Sequence, residues 1–257
     1  MRTTYGLGGL VRMEWIKVRS LRSTWWLLVM TWVAMLAGGL GVGLGYRSHT
    51  PVAPATQIAN NALAGAVLGQ LLFGALGVLM VGGEYSAGTM RSTVLAAPRR
   101  AAVLAAKATV CTCVTLPVAL LGCLMAHAAA QLAITSSPVS RLSLLDGRVV
   151  RTVLATALYL TAVALIGLGL GAIIRHAAGA VGALFAGIVI PMIIAGMFGE
   201  AGIAVSRFVP MMMLANSIIV TAPVSGTLSA AAAVAVMTSY AVTGLTIGAV
   251  LLRRRDV

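Results

Sequence analysis

Charge is what this sequence has least of. Only 9% of its 257 residues are charged, five of them acidic, and it holds three His, three Cys and 5% aromatic residues. A soluble domain carries roughly a quarter charged residues. So few charges cannot cover a water-facing surface, and 60% apolar residues exclude intrinsic disorder. Five carboxylates and three histidines leave little from which to assemble an acid–base or metal site. Cys111, Cys113 and Cys123 lie in one apolar stretch, which argues against a disulfide framework or a zinc site. Cys111 and Cys113, two apart, point to different sides of a helix. Lysine is scarcer still, at two residues, Lys17 and Lys107. Neither follows the glycine that a Gly-Lys-Ser/Thr phosphate loop requires, so the chain hydrolyses no nucleotide by that machinery.

What is abundant is apolar length. The mean hydropathy is +1.02, and six stretches reach the roughly 20 residues needed to span a bilayer. They lie near residues 25–45, 58–82, 103–131, 152–174, 178–198 and 228–252. The expected fold is an all-α integral membrane protein with six transmembrane helices and an N-terminal amphipathic interfacial helix. Residues 1–24 form that helix and 25–257 a single transmembrane domain. No small-residue cleavage site follows a short apolar region, so the run from Trp25 reads as an anchor that stays in the membrane.

The net charge of +13 has a simple membrane explanation. Basic residues collect on the cytoplasmic side, and here they stand at the ends of apolar runs, which argues against nucleic acid. With the N-terminus inside, the inner set is Arg2, Arg12, Lys17, Arg19, Arg22, Arg91, Arg99, Arg100, Lys107, Arg175, Arg253, Arg254 and Arg255. The outer set is Arg47, Arg141, Arg148, Arg151 and Arg207. Thirteen of the 18 basic residues thus fall inside, which favours an N-in, C-in arrangement.

In the first 24 residues Leu7, Leu10, Val11, Trp15, Val18 and Leu21 recur at helical spacing. Arg12, Lys17 and Arg19 fall largely off that face, with Arg22 at its border. The pattern predicts a helix on the cytoplasmic leaflet, with Trp15 at headgroup depth. Glu14 falls inside the apolar stripe and needs a partner: a basic neighbour on its own helix, or one in the loop after the second span. That loop carries the densest polar cluster, Gly83-Glu84-Tyr85-Ser86-Ala87-Gly88-Thr89-Met90-Arg91 through Pro98-Arg99-Arg100. It reads either as a polar loop or as a short docking helix over 91–97, capped by Ser86 or Thr89 and ended by Pro98. Glu84 can pair with Arg91 or with arginines of the N-terminal helix.

Segment 199–227 is long and apolar for a connection. Its central run is too short to span, so it is either a pair of short re-entrant helices or a loop on the membrane surface. Met211–Met213 suit a lipid-facing patch. Glycine pairs four apart (39/43, 41/45, 65/69, 167/171, 244/248) predict close helix approach. Asp146-Gly147-Arg148 resembles one element of the acidic motifs of lipid-phosphate transferases, which need several Asp together. His127 is the nearest candidate for a proton relay, and one group alone makes no relay.

Four segments resemble one family, the membrane-spanning permease subunits of ABC-2 type ABC transporters, in their six-span actinobacterial form. They are Met13-Glu14-Trp15-Ile16-Lys17-Val18-Arg19 and its continuation to Trp26, the Gly83–Arg100 cluster above, residues 168–180 around Arg175-His176, and the terminal Arg253-Arg254-Arg255-Asp256. The resemblance implies a multi-pass protein of the bacterial plasma membrane that pairs with a second permease copy or paralogue. Separate ATP-binding subunits hold the ATP, and this chain holds no cofactor or metal and is not itself an enzyme. It implies that Glu84, Tyr85, Arg91, Arg99 and Arg100, within a segment at 83–102, belong to an ATPase-coupling region. Glu14, Trp15, Lys17, Arg19 and Arg22 would belong to the connecting helix, and 199–227 would be re-entrant. The implied activity is export of a drug-like, peptide or lipid substrate. The alternative from another class is a non-transporting membrane scaffold or immunity protein.

Overall fold

The computed structural model describes residues 6–47, 55–90, 100–134, 143, 145–218 and 228–254. Among these residues there is no strand. The helices are α1 (Leu7–Ser20), α2 (Arg22–Arg47), α3 (Ala55–Asn61), α4 (Ala66–Ser86), α5 (Arg100–Ala133), α6 (Gly147–Ile174), α7 (Ala177–Met197), α8 (Gly199–Ser206), α9 (Pro210–Ile218) and α10 (Ala230–Arg254). Six stretches among the described residues are long and apolar enough to cross a bilayer: Arg22–Tyr46, Ile58–Ser86, Arg100–Ala133, Gly147–Ile174, Ala177–Met197 and Ala230–Arg254. The second joins the end of α3 to α4 through a turn.

These are the six stretches expected from hydropathy, with shifted ends. Hydropathy marks where the apolar run stops, whereas a helix continues while its backbone and polar side chains find partners. Thus Glu84, Tyr85 and Ser86, expected in a polar segment, form the last turn of α4. Arg22, expected in the connecting helix, opens α2, because Leu21 is extended (ψ 114°) and ends α1.

Apolar side chains cover much of the outside. Trp25, Trp26 and Val33 on α2 and Ile190, Ile193 and Ile194 on α7 are exposed, while Glu14 and Lys107 are each 1% exposed. Charge inside and hydrocarbon outside suits lipid and not water. α6 is the central helix and packs against α4, α5, α7, α9 and α10. Backbones approach closely there: a Cβ on Gly77 would run into the Ala164 carbonyl, and one on Gly167 into the Gly74 carbonyl. The 167/171 pair therefore serves packing, as do 39/43 against α5 and 65/69 against α2, and a Cβ on Gly169 would meet the Gly244 backbone of α10, whereas Gly41 and Gly45 face open space. The Trp32 indole N–H donates to the Val118 carbonyl at 3.0 Å and pins α2 to α5.

Several local features have structural roles. Asp146 caps α6, its Oδ1 accepting the Arg148 backbone N–H at 2.8 Å. That bond, first among the causes, holds its carboxyl below the usual aspartate range. Arg175 ends α6 in the left-handed region (φ 62°), and His176 caps α7 by accepting the Gly179 N–H. This is the tight turn expected between the fourth and fifth spans. Cys111 is buried and Cys113 exposed, both free thiols. His127 is buried on α5.

Within 199–227 the structure shows two short helices, α8 and α9. α8 turns back at Phe198, where Gly202 meets the Ala195 carbonyl. Met213, expected to face lipid, is fully buried together with Leu214 and Ser217. The reason is a polar anchor. Tyr159 Oη lies 2.8 Å from the Pro210 carbonyl and 2.9 Å from Gln70 Oε1, which draws the start of α9 onto α6 and α4. One hydroxyl proton serves one acceptor, so turning the Gln70 amide to donate to Tyr159 would satisfy both contacts.

Candidate functional site

Both lysines of the chain and two of its five carboxylates meet at one end of the bundle. α1 buries a face made of Leu10, Glu14 and Val18, spaced four residues apart. Leu10 packs on Val103 and Ala106 of α5. This docking carries Glu14 into the protein. Leu7, Trp15 and Leu21, on the same expected apolar stripe, stay exposed.

Lys107 reaches this point from the second turn of α5. Its Nζ donates to Glu14 Oε2 at 2.7 Å, to Glu84 Oε1 at 2.7 Å and to the Met80 carbonyl at 3.0 Å. All three ammonium protons are therefore used. Lys17, one turn after Glu14, donates to Glu84 Oε1 at 2.7 Å and to Glu14 Oε1 at 3.1 Å. Two ammoniums and two carboxylates cancel, which is what makes burial of Lys107 and Glu14 tolerable in a low-dielectric interior. Burial alone would lower the Lys17 pKa. The hydrogen bond to Glu84 and the charges of Glu14 and Glu84 outweigh it, so the net shift is upward.

The pairing bears out one expectation for Glu14, a basic neighbour on its own helix, and adds a partner that was not expected. Glu14 takes a partner on its own helix, Lys17, and a second on α5, Lys107, neither in the loop after the second span. Among the described residues Glu84 pairs with Lys17 of α1 and with Lys107, and with none of the α1 arginines. The loop geometry explains part of this. Gly88 (φ 68°) closes α4: the Thr89 N–H bonds to the Glu84 carbonyl and the Gly88 N–H to that of Tyr85, a left-handed helix stop. The Ser86 and Thr89 hydroxyls also bond back to the Gly82 and Glu84 carbonyls of α4, so both help to complete this helix.

The other expected residues disperse around the cluster. Tyr85 lies under the Arg175 guanidinium, 5.5 Å from its ring centroid, which ties α4 to the α6–α7 turn. Arg100 opens α5 and donates to the Leu252 carbonyl of α10 at 2.9 Å. Trp15, Arg19 and Arg22 are exposed, and the Arg19 carbonyl accepts the Trp25 indole N–H. Arg91 and Arg99, and the docking helix expected over 91–97, lie outside the described residues. Sequence reasoning missed Lys107 and Arg175 as site members. The available signal was a lysine several residues inside an apolar span, where an unpaired charge is costly.

Beside the cluster lies a cavity of about 430 Å³ between α1, α2 and α4. Apolar Leu27, Leu76, Leu79 and Met80 line it, together with Lys17, Ser20, Thr24 and Glu84. Among the described residues no group of three or more His, Cys, Asp or Glu could hold a metal ion. What the arrangement does chemically is mechanical: it fastens α1, α4 and α5 to one another through charges. Compared with known proteins, the chain matches no family model and no curated protein sequence.

Proposed function

We propose that this chain is the membrane-spanning permease subunit of an ABC transporter of the ABC-2 type, exporting a drug-like, peptide or lipid substrate. It works with a second permease, identical or related, and separate ATP-binding subunits drive the pair from the cytoplasmic face. The observation that carries this reading is the Glu14–Lys17–Glu84–Lys107 cluster. It ties the last turn of α4 and the second turn of α5, the two helices that flank the expected coupling segment in the sequence, to α1. A push on the segment is thereby delivered to three helices at once, and Arg100 extends it to α10. A permease powered this way needs a rigid connector at its cytoplasmic end and no carboxylates for ion coupling. Six stretches able to span and the basic bias of this end support an N-in, C-in protein of the bacterial plasma membrane. The mechanism is alternating access, in which closure of the ATP-binding subunits shifts the bundle between inward-open and outward-open states.

The test is to check the adjacent reading frame for an ATP-binding subunit and to extract the affinity-tagged chain gently from cells that co-express it. The expected result is a retained ATPase whose hydrolysis rises with substrate. Charge reversal at Arg99 and Arg100 should uncouple hydrolysis from export with membrane insertion intact. Failure to retain any ATPase, or normal transport by that variant, overturns the reading and leaves a scaffold or immunity role.

A further inference from the structure

At the end of the bundle opposite the ion cluster, Arg207 is exposed and has no hydrogen bond or ion pair among the described residues. Its guanidinium carbon lies 5.0 Å from the centroid of the Phe208 ring, a contact that leaves the N–H donors free. The Phe208 side chain is also a wall of a second cavity, of about 490 Å³, between α6, α7, α10 and the turn that joins α8 to α9. The volume is that of a small-molecule site. α7 contributes Ala183, Gly187 and Pro191, four residues apart and so on one face. A Cβ on Gly187 would meet nothing within 4 Å, and these small residues leave the groove open. Among the described walls only Tyr240 has a polar side chain, and its hydroxyl already donates to the Phe208 carbonyl at 3.3 Å.

We propose that this groove holds an anionic phospholipid, with an acyl chain between α6, α7 and α10 and the phosphate on the Arg207 guanidinium. The tail follows from the walls, which have no side-chain donor or acceptor to spare for a polar occupant. The head follows from Arg207. An unpaired guanidinium fits a phosphate bidentately, and such charge-assisted bonds are about twice as strong as neutral ones. The two parts stand in the right order, because the cavity runs from Phe208, at the end of the bundle, towards Leu170 and Ala183 within the spans. Lipid reaches it from the side, since α7 also exposes Val189, Ile190 and Ile193. The site needs no ATP-binding subunit, so it stands apart from the transport reading.

The experiment uses the full chain in phosphatidylcholine vesicles, with chain-labelled phosphatidylglycerol, phosphatidylcholine and stearic acid as spin probes of immobilised lipid. The chain's charge of +13 favours any anionic probe, so the decisive reading is a comparison of variants. Arg207→Gln should weaken phosphatidylglycerol about fivefold and leave phosphatidylcholine unchanged. Arg148→Gln removes the same charge at the same end of the bundle, from a side chain already paired with Asp146, and should leave phosphatidylglycerol as it was. Ala183→Phe combined with Gly187→Phe fills the groove and should release the bound lipid whatever its headgroup. A melting curve shows whether this double variant folds, and if it does not, the two arginine variants decide alone. Equal losses in the two arginine variants, no loss in Arg207→Gln, stearic acid held in preference to phosphatidylglycerol, or unchanged immobilisation in the folded double variant overturns the proposal.

Discussion

Lys107 Nζ lies 2.7 Å from Glu14 Oε2, although 93 residues separate them in the chain, and both side chains are almost wholly buried. A pair of this kind stabilises little relative to a well-packed apolar pair, but breaking it strands a charge. Lys107→Met leaves Glu14 and Glu84 with Lys17 alone. The expected loss is about 3–5 kcal/mol, read as a large fall in thermal stability in detergent. Glu14→Gln combined with Lys107→Met should recover much of it. A double variant as unstable as the sum of the single ones would show that the two residues do not interact.

The half-exposed Lys17 behaves differently. Its upward pKa shift means that its contribution is fully present below the ordinary lysine value of 10.5 and is lost as pH rises through the higher folded value. The stability difference between the native chain and Lys17→Gln should be under about 1 kcal/mol. It should hold constant from neutral pH to about 10 and shrink above that. A difference that shrinks on acidification would contradict the sign of the shift.

Close backbone contact between α4 and α6 predicts a sharp contrast among glycines. Gly77→Val forces a side chain into the Ala164 carbonyl and should cost about 1–3 kcal/mol or more. Gly41→Ala meets nothing within 4 Å and should be neutral or stabilising by up to about 1 kcal/mol. Melting curves of the two variants compare them directly.

Tyr159→Phe removes the hydroxyl that holds α9. Gln70 and the Pro210 carbonyl then lose a buried partner, at a cost of about 1–3 kcal/mol. The effect should be local, with faster amide exchange across 210–218 than across α6. Unchanged exchange in α9 would show that its apolar face alone (Met213, Leu214) seats it.

Topology has its own measurement. A reporter fused after Val257 should report the cytoplasm, as should a cysteine label placed at Leu21. A periplasmic signal at Val257 would refute the even number of crossings.

Much of the architecture was legible in composition. Six apolar runs became six long helices because a chain with 9% charge has no other way to satisfy its backbone in lipid. The turn at Arg175-His176 was readable from run length, whereas the two short helices between α7 and α10 were one of two readings that run length left open. Helix ends were less so. The last turn of α4 holds polar residues that remain helical only because α1 and α5 supply partners to Glu84.

The sequence by itself determined the class of fold, the scarcity of carboxylates and the need of Glu14 for a partner, since these depend on residue type and local period. Only the tertiary structure decided that Lys107 joins Lys17 as a partner of Glu14 and that Met213 faces inward. Local pattern cannot rank partners 93 residues apart, nor say which side of an apolar helix meets protein and which meets lipid. Both are settled by packing. The close α4–α6 contact and the docking of α1 bring Met80, Glu84, Glu14 and Lys107 to one point, where opposite charges in a low dielectric select one another.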